Sequence, residues 1–504
     1  MRSAGNLKHS LPAVSIMTAW ALIGALLLTF AVHVWPTGAQ DSQFFLPPAV
    51  EYRTTGELVH PFWEKADEID PTGQGRLVYH GFLFPLLVGS LAPSAGYPGV
   101  HMVVMCILVA ALGLFALAAV RTTRRFPEAP LCGALLGVLA VTGLATALLG
   151  LSGRPEPLGM LIILGCFHAM MRLRPGKHWI PAGVALGLLG VTSPLPALLG
   201  LVLFALYAHY RFAQRAALIY LVAAGGMALL LVVGIASLWY PYSLPTWIAG
   251  LRAHWATTRN LLKDLIHYWF TNPRNSFYGL LYVSAAILGL FSLRHRPIKS
   301  KAGFAVSALV LLAVMARYHL YSPGINYNLI VFAPLVYLAV MFTCLEIGRT
   351  MRSGRNGAGL RPVLCLLVLG VFLLTSMGFA RTLVIFPRFL DHGVTYAEAK
   401  QRLADLRAGA SGPVLITPAL FGLVDDYDNL GVLAMPHHPV PKTYEIVVFA
   451  QFGLARQTPP RIDGYRLVED RFDHEPPRIF GIKVANSNHG YDYAVYRRDP
   501  AASG

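Results

Sequence analysis

Apolar runs of about 20 residues recur along this chain, each long enough to cross a bilayer as a helix. The first extends from about Leu11 to Val34. Others lie near 97–120, 129–150, 155–171, 179–192, 195–209, 216–239, 277–293, 302–316, 327–345 and 362–380. The pattern predicts a mainly α, polytopic membrane protein of about 11 transmembrane helices. The apolar piece 81–93 is too short to cross and reads as a re-entrant or interfacial helix. Composition agrees: 55% of the residues are hydrophobic and 13% charged, against about 25% charged in a soluble protein. A cytosolic enzyme and a polar, disordered chain are both excluded. A secretory signal has an apolar core of about 7–15 residues. The first run is longer and reads as an uncleaved anchor, with cleavage near Ala39 as the alternative.

The net charge of +16 would suggest a nucleic-acid surface if it were gathered on one polar face. Instead it is spread over the N-terminus and the segments 121–128, 172–178, 209–215, 294–301 and 346–361. These hold 18 Lys and Arg against two acids, Glu128 and Glu346, while the remaining loops and the tail are balanced. That is a positive-inside signal. It predicts an integral inner (cytoplasmic) membrane protein with its N-terminus inside and, after an odd number of crossings, its tail outside. The bilayer is its partner and nucleic acid is not. The five cysteines all fall inside predicted spans, with neither a metal-ligand spacing nor a disulfide framework.

Two outer loops are long. The first, 35–80, is polar. The second, 240–276, places Trp247, Leu251 and Trp255 at helical spacing, as in a helix lying in the interface plane. Residues 1–381 form the membrane module and 382–504 a small extracytoplasmic α/β domain. In that domain Thr395 caps a predicted helix through Ala408, with Tyr396, Ala399, Leu403 and Leu406 on one face and Gly409 as its stop. Strands are predicted at Pro413–Ile416, Glu445–Phe449, Tyr465–Val468 and Ile482–Ala485. The last of these pairs with Tyr491–Tyr496 across Asn486–Gly490. Asp425, Asp426 and Asp428 read as a solvated turn.

Charge that could do chemistry collects at the outer side. Asp41 follows the first span and is itself followed by Phe44, Phe45 and Leu46. Glu51, Glu57, Glu64, Asp67, Glu68 and Asp70 come next, then His80. Gly153-Arg154-Pro155-Glu156-Pro157 opens a span, where the two charges either cap and pair or face a ligand. Arg317, His319 and Tyr321, with Tyr318, supply donors suited to a phosphate. The alternative there is an aromatic belt with a snorkelling Arg. His101, His168 and His209 read as packed or interfacial.

Asp41, Phe44-Phe45, Ala49, Glu51, Gly56-Glu57-Leu58 and Pro61 together resemble the first outer loop of the GT-C glycosyltransferases. The resemblance is to the branch of the protein O-mannosyltransferases and the lipid A aminoarabinose transferases. His80 with Phe84-Pro85-Leu86, Arg154-Pro155-Glu156, and Arg317-Tyr318 with Tyr321 and Pro323 resemble later motifs of that branch. The departure is Ser42, where many relatives carry a second acid, which leaves a carboxylate pair and a divalent metal open. The resemblance implies a glycosyltransferase with a GT-C-type membrane module as its catalytic part. Its donor would be a polyprenyl-phosphate sugar, its acceptor an envelope lipid, glycan or protein, and no cofactor is required. It makes Asp41 the base and assigns the donor phosphate to Arg317, His319 and Tyr321. Glu51, His80, Arg154 and Glu156 become candidates for sugar or acceptor contacts. A secondary transporter would place its charges near the bilayer midplane. An envelope scaffold would leave the outer charge constellation without a role.

Overall fold

A computed structural model describes residues 2–37, 42–61, 76–77, 81–256, 330–352, 360–425, 429–433, 440–450, 459–472, 475, 477–483 and 491–499. The chain is mainly helical, with a small C-terminal sheet. In order the helices are α1 (Arg2–Val32), α2 (Ser42–Thr55), α3 (Leu83–Leu91), α4 (Tyr97–Thr123), α5 (Pro130–Leu149), α6 (Glu156–Arg172) and α7 (Trp179–Thr192). There follow α8 (Pro194–Arg211), α9 (Gln214–Trp239), α10 (Leu244–Ala256), α11 (Ala333–Arg352), α12 (Leu360–Asp391) and α13 (Tyr396–Ala408). Among the described residues, four stretches are long and apolar enough to cross a membrane: Ser10–Val32, Tyr97–Thr123, Pro130–Leu149 and Gln214–Trp239. Helices also occupy the other predicted runs, except 277–293 and 302–316, which lie outside the described residues.

Small residues let the helices close. On α7, Gly183 and Gly187 are four apart, the spacing that brings helix backbones together in lipid. A Cβ on either would come within 2.7 Å of the Cβ of Met227 or Leu231 on α9. The rest of α9 exposes Leu218, Ile219, Val222, Leu229, Leu230 and Leu238, as a lipid-facing helix does.

The first long loop is not wholly irregular. It contains α2, whose Leu46, Ala49 and Val50 are buried. A Cβ on Gly89 of α3 would meet the carbonyl oxygen of Ala49 at 2.5 Å, so the two short helices touch backbone to backbone. The segment 81–93 thus holds a short helix, α3, that packs against the loop. In the second long loop α10 forms where the amphipathic spacing put it, and Trp247 is buried against Phe82 and Tyr240.

The tail sheet has the order β2-β1-β3-β7-β4 (Leu430–Val432, Val414–Ile416, Ile446–Phe449, Ala494–Arg498 and Tyr465–Asp470). β1 is parallel to β2 and β3, and β7 runs antiparallel between β3 and β4. Alternate residues serve two cores, as the period of two requires. Val414, Ile416, Ile446, Val448 and Val495 join Leu403 and Leu406 of α13 and the core of the helical bundle. Leu415, Val447, Phe449 and Tyr496 line the other face. α13 carries the expected Thr395 cap as a full capping box with Glu398.

One predicted pairing is wrong. Ile482-Lys483 (β6) pairs with Arg478-Ile479 (β5), not with 491–496. Phe480 and Gly481 both take positive φ and close a two-residue turn of the kind that matches hairpin twist. The place beside β7 is already filled by β4. The expected turn, 486–490, lies outside the described residues. β2 was not anticipated, since three residues carry no readable alternation.

Candidate functional site

The loops converge at one end of the bundle. α1 stops at Val32, and Val34 takes φ 50°, a left-handed conformation that a β-branched residue rarely adopts. The Trp35 N–H donates to the Phe30 carbonyl at 2.8 Å, and the Trp35 ring packs edge-on to Phe389 of α12 at 4.7 Å. The strained turn is held from outside: the Tyr491 hydroxyl of the tail donates to the Val34 carbonyl at 3.1 Å. Residues 38–41, Asp41 among them, lie outside the described residues. Their flanks meet, with the Thr37 and Ser42 hydroxyls 2.7 Å apart.

The turn between α5 and α6 closes on the same place. Gly153 has φ 83°, and a Cβ there would meet Ser42 Cβ at 2.6 Å and Thr37 Cγ2 at 3.2 Å. The positive φ and the close approach both require glycine. Next to it Arg154 donates twice to Glu156, Nε to Oε2 at 2.9 Å and Nη2 to Oε1 at 2.8 Å. Only 10% of the Arg154 side chain and 2% of the Glu156 side chain are exposed. Of the two sequence alternatives for this pair, mutual pairing is the one observed, and it occurs beside Ser42. Glu51 is not drawn in: it lies nine residues along α2 from Ser42, about 13 Å by helical rise. Partial burial raises its carboxyl above the usual range, helped by Glu57 and opposed by Thr55. His80, Arg317, His319 and Tyr321 lie outside the described residues.

Two residues that the sequence reading passed over line the start of α2. The backbone carbonyl of buried Gln43 accepts from His60 Nε2 at 2.8 Å, while the Gln43 side-chain nitrogen, Nε2, has no partner among the described residues. A lone Gln beside two aromatics carries no sequence signal. His60 is buried, and burial pulls its ring down from 6.5 to about 4, against the opposing bond to Gln43. A depressed His favours the fold above the unfolded value and loses that contribution as pH falls from about 6.5 through about 4. Hydrogen exchange of residues 42–61, corrected for its intrinsic pH dependence, should therefore accelerate across that window. His60→Asn should flatten the profile; an unchanged profile would remove His60 as its cause. Glu51, raised rather than lowered, works in the opposite sense and persists in that variant.

The two long loops interlock. Val59 bridges Arg76, the Tyr240 hydroxyl donates to the Leu77 carbonyl, the Tyr242 hydroxyl donates to the Leu58 carbonyl, and Arg76 stacks over the Tyr242 ring at 4.7 Å. Gly81 abuts the carbonyl of Thr192 at the α7–α8 junction. The tail closes this end: Tyr97 at the start of α4 packs on Phe421 and Tyr396. His101 is buried beside Tyr97, as its packed reading expected. Asp425 pairs with Lys400 at 2.6 Å, which accords with a surface turn, while Asp426 and Asp428 lie outside the described residues. Among the described residues no group of three His, Cys, Asp or Glu side chains could hold a metal ion.

No protein-family model matches this chain, and no curated protein matches it in sequence.

Proposed function

We propose that this protein is an integral membrane glycosyltransferase of the GT-C type. It moves a sugar from a polyprenyl-phosphate donor to an envelope lipid, glycan or protein at the outer face of the inner membrane. The observation that carries this reading is convergence: Ser42, which follows Asp41, touches Gly153 beside Arg154 and Glu156, at the same end where both long loops and the tail domain meet. A donor with its lipid tail in the bilayer presents its sugar at such a surface.

In this reading Asp41 takes the proton from the acceptor hydroxyl. The acceptor oxygen bonds to the anomeric carbon as that carbon's bond to the phosphate oxygen breaks. The polyprenyl phosphate leaves with the electron pair, and Arg317, His319 and Tyr321 stabilise its charge. Both Glu156 oxygens are taken by Arg154, so this pair serves as a charged wall for sugar or acceptor and not as the base. The test is mass spectrometry of envelope glycolipids and glycoproteins with and without the protein. Loss of one sugar supports transfer and names donor and acceptor; no change in any glycan, with the protein present, favours transport.

Eleven crossings with the N-terminus inside belong to the same proposal. Single cysteines placed in the tail, in a chain lacking the five native ones, should react with an impermeant reagent in intact cells. Reaction only after permeabilisation would reverse the orientation. Arg317→Ala should weaken use of limiting donor by about 10–150-fold, the worth of a charge-assisted contact of roughly 1.5–3 kcal/mol. Arg317→Lys should fall between, since ammonium lacks the guanidinium fork. Normal turnover by Arg317→Ala would put the phosphate elsewhere.

A further inference from the structure

The hairpin β5–β6 in the tail is out of keeping with the rest of that domain. Its turn presents Phe480, which is 100% exposed, and Ile482 follows at 71%. Phe480 also takes φ 49°. Two-residue turns of this type favour Asn or Asp with Gly, and a bulky side chain at positive φ is strained. Local chemistry and solvation both argue against phenylalanine here, and strain of this kind points to function. The turn is nonetheless well made, because Arg478 Nη1 donates to the Gly481 carbonyl at 2.8 Å.

The position of the hairpin names what it faces. β4 leads into it, and the register places Asp470 opposite Ala494, which in turn lies opposite Phe449. That end of the sheet is the one where Tyr491 reaches Val34. β4 therefore delivers the chain toward the membrane end of the bundle. Beyond β4, Arg388 of α12 donates to the Glu475 carbonyl at 2.8 Å and lies 3.7 Å from the Glu475 carboxylate. The level of Arg388 is fixed by its neighbours: Phe386 packs on Phe30 at 4.4 Å and Phe389 on Trp35 at 4.7 Å. Phe30 belongs to the stretch Ser10–Val32, whose 23 residues rise about 34 Å, close to the thickness of a bilayer core. Glu475 is thus tied at the height where α1 leaves the bilayer. Phe480 is only five positions further on, at most about 17 Å of extended chain. Leu383 and Leu390, seven apart on α12 and both exposed, extend a lipid-facing stripe to the same height.

We infer that the hairpin Arg478–Lys483 dips Phe480 and Ile482 into the leaflet on the tail's side, anchoring the domain to lipid in addition to its docking on Tyr97 and Val34. Arg478 stands beside the apolar tip, its positive charge suited to the headgroup layer. This inference requires that α1 cross a bilayer and is independent of the transferase reading.

The experiment uses the full chain in lipid nanodiscs, in a background without the five native cysteines. Phe480→Cys is labelled with an environment-sensitive fluorophore. Asp463→Cys, just before β4 at the far end of the sheet, is labelled in parallel. Both sites are exposed, so neither substitution disturbs packing. At 480 the emission should shift to the blue, lose intensity to lipids spin-labelled near the headgroup, and resist aqueous iodide. At 463 the reverse should hold. Iodide quenching at 480 equal to that at 463 would overturn the inference. So would a blue shift without quenching by the spin-labelled lipid, since protein and not lipid would then cover the tip.

Discussion

Asp41→Asn is expected to slow sugar transfer by about 10²–10⁴-fold, the usual contribution of a general base, with expression and donor binding retained. The structure sharpens the competing explanation. α2 begins at Ser42, so Asp41 immediately precedes a helix and an N-capping role must be separated from a chemical one. Asn caps nearly as well as Asp, so a cap would be indifferent to the change while a base would not. Asp41→Glu retains basicity but moves the carboxylate by about one methylene, and misplacement of about 1 Å can cost on the order of 10²-fold. The measurement is turnover by purified protein with a lipid-linked sugar. Near-normal turnover by Asp41→Asn would remove this residue from the mechanism. Glu51 would then be the next candidate, its carboxyl already raised by partial burial.

The second large effect is expected at Arg154 and Glu156. Glu156→Gln takes from Arg154, in a nearly closed site, the carboxylate that accepts two of its hydrogen bonds. Breaking a buried pair from one side costs about 3–5 kcal/mol, whereas replacing both members with apolar residues is often neutral. Glu156→Gln should therefore lower the unfolding midpoint in detergent sharply, and Arg154→Met combined with Glu156→Leu should restore much of it. The double variant also separates fold from function. If the pair contacts sugar or acceptor, the restored protein remains deficient in transfer. A stable and fully active double variant would make the pair purely structural. Gly153, squeezed against Ser42, ties either outcome to the start of the first long loop.

Much of the architecture was legible because it rests on local rules. Among the described residues the apolar runs became helices, and Thr395 with Glu398 became a capping box. Trp247 landed on the buried side of α10. α2 was not legible. Pro47 and Pro48 sit inside it, each removing a backbone donor and arguing locally against a helix. The helix persists because Leu46, Ala49 and Val50 are buried where α3 approaches it, and no property of the segment alone conveys that. The β5–β6 hairpin was misassigned for a related reason. Apolar residues near 482–485 looked ready to pair with 491–496, but which strand lies beside β7 is settled by a long-range competition that β4 wins.

For the candidate site the division is sharper. The sequence by itself marked several stretches as long and apolar enough to cross a membrane, since apolar length and charge scarcity act residue by residue through transfer from water. It also supplied the candidate residues and the positive-inside bias from which sidedness is proposed. It could not determine which of those residues meet. Thr37 and Ser42 are five positions apart and Gly153 more than a hundred further on, yet they touch. Tyr491 reaches Val34 across nearly the whole chain. His60 and Gln43 gain their importance only through burial. Such contacts are paid for by loop closure and realised by packing, so they exist as properties of the assembled bundle. Tertiary structure alone decided which residues of the two long loops and the tail touch at their shared end, and that Arg154 pairs with Glu156 there.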